Sequence, residues 1–296
     1  MALLQNKIDF VAIISAKNAN PNGDPLNGNR PRITDSGFGE ISDVCLKRKI
    51  RNRLMEMGEP ILVQSEDNKL DGFGSLSERV GANRELSAIL EKKNDKNTDK
   101  SIDIKGAFTA KACEAWLDVR SFGQVFAFKG AKSGEGVSIG IRGPVTVQSA
   151  FSIDEAEIES IQITKSVNNE PGEKKGSDTM GLKHRVSFGL YVLKGSINVQ
   201  LAEKTGFSTE DAHKIRQAVL EMFANDASSA RPEGSMMLHT LYWFEHNSKL
   251  GQYAPARVHD SIVIKKKNGV DIPKSFDDYD ISVSPLDGLT PQVFTN

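Results

Sequence analysis

Apolar positions along the first sixty residues follow two different spacings. Residues 7–17 carry apolar side chains at odd and even positions alike, a pattern typical of a central strand that is covered on both faces. The next apolar stripe has helical spacing and consists of Leu46, Ile50, Leu54 and Met57. Ser42 and Asp43 precede this stripe and favour a helix start. The pattern therefore predicts a mid-sheet strand and then a helix over residues 41–57.

Further strands and a second core helix complete the predicted core. The strands are predicted at residues 137–147, 158–164, 185–193 and 235–246. The second helix starts with the capping signal at Ser208 and buries Ala212, Ile215, Val219, Met222 and Phe223. The resulting order, strand-helix-strand-strand-helix-strand, is that of a ferredoxin-like or RNA-recognition-motif (RRM-like) core, so we expect an α+β fold. Many functions share this order, although its sheet commonly serves RNA binding.

Three segments do not fit the repeating core. Residues 59–136 are polar, glycine-containing and helix-prone, which indicates an inserted helical subdomain. Residues 165–182 form a long basic loop, and residues 266–296 form a C-terminal tail. The core is then assigned to residues 1–58 and 137–265.

Charge is distributed unevenly along the chain. The formal net charge is -1, yet residues 44–53 hold five basic residues and no acidic one, whereas residues 270–288 are acidic. A basic helix makes a polyanion the first candidate ligand. The 2 cysteines support neither a disulfide framework nor a four-cysteine zinc site, and no stretch approaches the ~20 apolar residues of a membrane helix. We expect a cytoplasmic protein without a membrane partner.

The loop between the first strand and the basic helix is rich in residues with special backbone properties. Glycine allows positive φ, proline fixes φ, and asparagine tolerates left-handed conformations while bonding to its own backbone. Such a loop presents backbone amides to a ligand. Together with the basic helix, the loop favours a polyanionic ligand.

Several motifs resemble one known family. They are Asn18-Ala19-Asn20-Pro21-Asn22-Gly23-Asp24-Pro25, Gly28-Asn29-Arg30-Pro31-Arg32, the stretch from Gly39 to Arg53, and Asp118-Val119-Arg120 followed by Phe122-Gly123. Together they are similar to the type I-C branch of the Cas-seven family of CRISPR proteins, a Csd-type group of the RAMP superfamily. The resemblance runs the full length of the chain.

The resemblance implies an architecture and partners. Family members polymerise along a CRISPR guide RNA (crRNA) as the helical backbone of a Cascade surveillance complex, which pairs the guide with invading DNA in antiviral defence. They combine an RRM-like palm, helical fingers and a thumb loop, here the core, residues 59–136 and residues 165–182. The implied partners are crRNA, the target DNA strand, head-to-tail copies of the chain, and subunits of the Cas-five and Cas-eight families, all in a prokaryotic cytoplasm. The resemblance implies no cofactor.

The resemblance also implies a set of RNA-binding residues. It consists of Asn20, Asn22, Gly23, Asn29, Arg30, Ser42, Lys47, Lys49, Arg53, Arg120, Lys174, Lys175 and Met180. Each has a structural alternative, because basic helices are often solvated faces and asparagines often cap turns. Residues 120–126 partly match the RNA-contacting strand of recognition motifs, but Phe122 also suits a core position. Met180 is compatible with a wedge between nucleotides or with packing against a neighbouring subunit.

Catalysis is the rival interpretation. A guide-directed RNA endonuclease similar to type III relatives would use Asp24 or Asp35 for phosphodiester cleavage. Turns explain both residues, no second carboxylate completes a two-metal site, and the five histidines lack the spacing of metal ligands. A sequence-specific RNA regulator would need more exposed aromatic residues than a chain with 7% aromatics offers. We therefore expect a non-enzymatic protein without a metal site.

Overall fold

The computed structural model describes residues 2–94, 103–128, 137–164 and 180–296. Its strands are β1 (Ile8–Ala19), β2 (Gly23–Asp24), β3 (Arg30–Pro31), β4 (Phe38–Ile41), β5 (Gly123–Phe128), β6 (Val137–Arg142), β7 (Val145–Val147), β8 (Ala150–Glu155), β9 (Ile158–Thr164), β10 (Met180–Ile197), β11 (Met236–Glu245), β12 (Ile262–Lys266), β13 (Tyr279–Val283) and β14 (Gln292–Thr295). Its α-helices are α1 (Asp43–Glu56), α2 (Leu76–Ala82), α3 (Arg84–Asn94), α4 (Ile104–Ala115), α5 (Leu117–Phe122), α6 (Val199–Thr205), α7 (Thr209–Leu220) and α8 (Pro255–His259). Short 3₁₀ turns lie at Pro25–Asn27 and Phe276–Asp278.

The main sheet is antiparallel and has β1 near its centre. Its order is β14-β11-β1-β10-β8-β4, and β7 and β9 also pair with β10. Every residue of β1 from Ile8 to Ala16 is buried, because the strand has a neighbour on each side and a layer on each face. The prediction of a mid-sheet strand is confirmed.

The first face of the sheet is covered by α1 and α7. Leu46, Ile50 and Leu54 of α1 are fully buried in the same core as Phe10 of β1, as their spacing predicted. Fully burying one such side chain contributes roughly 1.5–3 kcal/mol. Ser42 caps α1, and Ser208 forms a capping box with Asp211 at the start of α7. Both helices therefore begin where the local sequence signals indicated.

The second face of the sheet is covered by the C-terminal part of the chain. Val11 and Ile13 of β1 pack in one cluster with Val258, Tyr279 and Leu289. β12 and β13 form a small two-stranded sheet over this face, and β14 extends the main sheet beyond β11. The segment predicted as a tail is thus part of the folded core.

The insertion has a hydrophobic core of its own. Its buried residues include Leu62, Val80, Leu86, Phe108 and Phe126. The helix-prone character predicted for this segment agrees with α2, α3 and α4, and β5 and β6 form a hairpin that packs in this cluster. β6 was expected to belong to the palm, yet within the described residues it pairs with β5 alone. The chain returns to the main sheet at β7, after residue 142.

Candidate nucleic-acid interface

The loop from residue 20 to residue 32 is held by its own polar groups. The Asp24 carboxylate accepts a hydrogen bond from the Leu26 N–H at 3.2 Å, and the Asp24 carbonyl accepts one from the Asn29 N–H at 2.8 Å. Asn20 Nδ2 donates to the Asn29 carbonyl at 2.7 Å. Gly28 and Asn29 are both left-handed, with φ of 58° each. The Asn/Gly/Pro pattern therefore produces a pre-organised turn, and the side chain of Asn20 is buried inside it.

Asn22 and Ser42 connect this loop to α1. Asn22 Oδ1 accepts hydrogen bonds from the Ser42 N–H at 2.9 Å and from the Ser42 hydroxyl at 2.7 Å. Ser42 Oγ in turn accepts from the Cys45 N–H at 3.4 Å. Gly23 lies under the turn, where an added Cβ would stand 2.0 Å from Asn29 Oδ1 and would displace that side chain. The structure brings these predicted residues together, and their polar side chains are used mainly to build the loop.

Arg30 joins the loop to the β9–β10 hairpin. Its Nη1 lies 3.1 Å from Ser160 Oγ and 3.4 Å from His184 Nδ1, and these two residues are 2.9 Å apart. Between the loop and the hairpin lies an open groove of about 430 Å³. Its lining consists of Gly28, Gln162, Met180, Gly181, Leu182 and His184. None of these described lining residues is a carboxylate.

Four of the five basic side chains of α1 are paired with carboxylates. Lys47 bonds to Asp43 at 2.9 Å, one turn earlier in the helix. The remaining pairs are Lys49 with Asp226, Arg51 with Asp118, and Arg53 with Glu56 and Glu221. The basic run is therefore largely neutralised within the chain and does not form an open cationic face.

The prediction that Lys49 contacts RNA is wrong, because its side chain is enclosed in the protein. Its side chain is 1% exposed, its ammonium pairs with Asp226, and it lies 5.5 Å from the centre of the Phe223 ring. Burial lowers the pKa of this ammonium, and the Asp226 charge opposes the shift. An ammonium that is enclosed and paired cannot also contact RNA, so Lys49 is not part of the candidate interface.

Arg120 also has an internal partner. Its guanidinium makes a two-point contact with Asp211, with Nε at 3.0 Å and Nη2 at 2.8 Å, and Nη1 donates to the Cys113 carbonyl at 3.2 Å. Burial favours a higher pKa for Asp211, but the hydrogen bonds from Arg120 and Ser208 hold that pKa below its ordinary value. The predicted RNA contact at Arg120 is replaced by an ion pair that joins α5 to α7.

Comparison with known proteins gives the family. The model of the family described as CRISPR-associated protein Cas7 matches residues 6–284. The chain belongs to the Cas7 family. It is 26% identical over 237 residues to a CRISPR-associated protein Cas7 of Haloferax volcanii, a match that covers 76% of this chain and 66% of that protein's length. This chain therefore matches just under two thirds of that relative.

Two solved structures have similar chains. One is from a CRISPR RNA-guided surveillance complex in a pre-nicking state, with a TM-score of 0.48, 14% identity, and coverage of 80% of this chain and 78% of the other. The second, from a CRISPR RNA-guided surveillance complex, has a TM-score of 0.44, 15% identity, and coverage of 90% and 78%.

The other residues considered for RNA contact in this Cas7-family chain are Met180, Lys174, Lys175 and Phe122. Met180 is 58% exposed at the start of β10, whereas Lys174 and Lys175 lie outside the described residues. Phe122 packs against the main core, and the Arg51 guanidinium lies 5.0 Å from its ring centre, which fits the core alternative. None of the helices in the described part of the chain has the length and apolar character needed to cross a membrane.

Arg48 is a further basic residue of α1, and it is not among the RNA-binding residues predicted from the sequence. Its guanidinium forms no ion pair among the described residues. The pKa of Asp67 is lowered mainly by a hydrogen bond from the Ser65 hydroxyl and by the local backbone, and the charge of Arg48 adds a smaller effect. Arg48 is half-buried on α1. No local signal distinguishes it from the neighbouring basic residues, because their partners come from distant parts of the chain.

Proposed function

We propose that this chain is a non-catalytic, guide-RNA-binding backbone subunit of a type I-C CRISPR surveillance complex in a prokaryotic cytoplasm. Copies assemble head to tail along the crRNA, beside subunits of the Cas-five and Cas-eight families, and the bound guide pairs with invading DNA. Membership of the Cas7 family and the motifs of the first loop support this proposal. A heterologous contact that does not close produces a filament, whose length the RNA then sets.

The order of the strands in the main sheet supports the assignment of the core as the palm. Four strands in the order β11-β1-β10-β8, with α1 and α7 on one face, have the order expected for the fourth, first, third and second strands of a ferredoxin-like or RRM-like core. The insertion, which has its own hydrophobic core, is the part of the chain proposed as the fingers. The proposed thumb, residues 165–182, follows β9 in the chain; its residues 165–179 lie outside the described residues, and residues 180–182 begin β10.

Arg30 is the observation that carries the RNA-binding proposal. One guanidinium nitrogen fixes the side chain to the hairpin, and Nε and Nη2 form no hydrogen bond with any residue in the described ranges. These donors stand beside a groove whose described lining has no carboxylate, on a loop that is held by backbone hydrogen bonds. A guanidinium held in this way suits a phosphate oxygen, which it binds without reference to the base.

The geometry does not favour the nuclease alternative. Asp24 is engaged by the Leu26 N–H and lies 3.5 Å from Arg32, so its charge serves the turn. Asp35 is exposed in a separate turn. In the described part of the chain, no group of three or more acidic, histidine or cysteine side chains is arranged to hold a metal ion. The proposed role of the chain is binding without cleavage.

The decisive experiment measures the mass of protein–RNA complexes by light scattering. Single-stranded RNAs of unrelated sequence and increasing length are used, and the RNA is checked for breakage in Mg²⁺. The proposal expects the mass to rise in steps with RNA length, for every sequence, with intact RNA. One copy bound to a particular sequence contradicts the scaffold, and cleaved RNA would bring Asp24 and Asp35 forward as candidate nuclease residues.

A further inference from the structure

β12 has one edge without a hydrogen-bonding partner strand. Two backbone hydrogen bonds lie at the ends of its ladder with β13 and show which residue pairs are hydrogen-bonded. They run from the Ser284 N–H to the Ser261 carbonyl at 2.7 Å and from the Lys267 N–H to the Asp278 carbonyl at 2.9 Å. Hydrogen-bonded and non-hydrogen-bonded pairs alternate along an antiparallel ladder. The backbone groups of Ile262 and Ile264 therefore point away from β13.

These outward groups are unpaired within the described ranges. Neither the N–H nor the carbonyl of Ile262 or Ile264 bonds to any described backbone or side-chain group. An unpaired strand edge is a template for another strand, because each added residue supplies the missing donor or acceptor.

An apolar groove runs beside this edge. It has a volume of about 380 Å³ and lies between β12 and the main sheet. Its apolar lining consists of Phe151, Ile153, Val192, Ile262 and Ile264. Phe151 is 45% exposed, which is unusual for a phenylalanine inside a sheet.

A buried histidine also lines the groove. His259 is 3% exposed, and its Nε2 donates to the Gly195 carbonyl at 2.9 Å. That bond leaves Nδ1 as an acceptor, and it has no partner among the described residues. The groove thus offers an apolar floor, two sets of backbone groups and a fixed acceptor, a combination that suits a peptide better than a phosphate chain.

β13, which pairs with the other edge of β12, shows which side chains stand opposite those of β12 across a ladder. Asp280 stands opposite Lys265, and Ile281 stands opposite Ile264. Lys265 is exposed and forms no ion pair with a described residue, so its ammonium can attract a carboxylate from the open side. A strand added there would place apolar residues over Phe151 and an acidic residue beside Lys265.

We propose that the free edge of β12 is a docking site for an extended segment of a partner protein in which acidic and apolar residues alternate. The segment adds as a third strand, with its apolar side chains in the groove. The proposed docking site does not depend on RNA binding, and peptide binding is measured in the absence of RNA, which is added only as a competitor.

The test uses a labelled synthetic peptide with the sequence of residues 277–284, which repeats the pattern of β13. Binding is measured by fluorescence anisotropy, with a scrambled peptide as control. Ile264→Pro removes an outward N–H without breaking a bond to β13, whereas Ile281→Pro removes the corresponding N–H from the opposite edge of the same small sheet. We expect about tenfold weaker binding for Ile264→Pro and unchanged binding for Ile281→Pro.

Two further readouts complete the test. Hydrogen exchange at the Ile264 amide is expected to slow when the peptide binds, and Phe151→Ser, a change at a partly exposed position, is expected to weaken binding without lowering the melting temperature. Equal binding of the scrambled peptide, equal affinity of the two proline variants, or displacement of the peptide by single-stranded RNA would each overturn the proposal.

Discussion

Arg120 and Asp211 face each other in a two-point ion pair, with Nη2 to Oδ1 at 2.8 Å and Nε to Oδ2 at 3.0 Å. Two residues before Arg120, Asp118 accepts from Arg51 of α1 at 3.0 Å and from the Leu62 N–H at 2.8 Å. The six-residue helix α5 is therefore bonded to both core helices. These two ion pairs join the insertion to α1 and α7, the helices that cover the first face of the main sheet.

The first prediction concerns this junction. Arg120→Ala leaves the buried Asp211 carboxylate without its cation, and breaking a buried pair in this way costs about 3–5 kcal/mol. Urea unfolding measures the loss. Arg185→Ala is the control, because its pair with Glu159 is partly exposed and is worth about 0–1 kcal/mol. Equal losses for the two variants would contradict the structural role.

The second prediction concerns acid stability. The pKa of Asp211 is below its ordinary value of 3.8 in the folded chain, so the unfolded chain binds more protons. The contribution of Asp211 is present above pH 3.8 and is lost as the pH falls below that value. Without Arg120, burial becomes the main influence and raises the pKa of Asp211. The stability difference between the wild type and Arg120→Ala should therefore shrink on acidification, as urea unfolding at several pH values would show. A difference in unfolding free energy that stays constant with pH would contradict the stabilising role assigned to the Asp211 charge.

The third prediction separates Lys49 from the RNA. Lys49→Ala removes the enclosed partner of Asp226, although Arg231 remains 3.1 Å from that carboxylate. We expect a loss of about 3 kcal/mol of unfolding free energy. The salt dependence of RNA binding by the folded variant should stay unchanged. A lower salt slope for Lys49→Ala would return this residue to the interface.

The fourth prediction tests Arg30 in RNA binding. Arg30→Ala should weaken binding to RNAs of unrelated sequence to a similar degree and reduce the slope of log K against log salt by about 1. Arg185→Ala is again a suitable control, since adjacent residues of β10 place Arg185 on the face opposite His184. Equal salt slopes for the two variants would argue against the groove as the phosphate contact.

Local signals in the sequence were sufficient for part of the fold. The apolar spacing of β1 and α1 and the caps at Ser42 and Ser208 depend on residues a few positions apart, and the structure has them as predicted. The partners of Lys49 and Arg51 lie 177 and 67 residues away, so no local pattern revealed that their charges are neutralised. The alternation in β6 likewise predicted a strand without identifying the hairpin to which it belongs.

The layer over the second face of the sheet has a consequence for how the chain meets any strand-like ligand. Tyr279 and Leu289 are 6% and 4% exposed and pack with Val11 and Ile13 of the central strand. A nucleic acid cannot lie flat across this strand without first displacing them. The proposed RNA contact is therefore expected at the rim of the sheet, where the described loops and hairpin ends could meet a sugar-phosphate backbone while the bases are left uncompared.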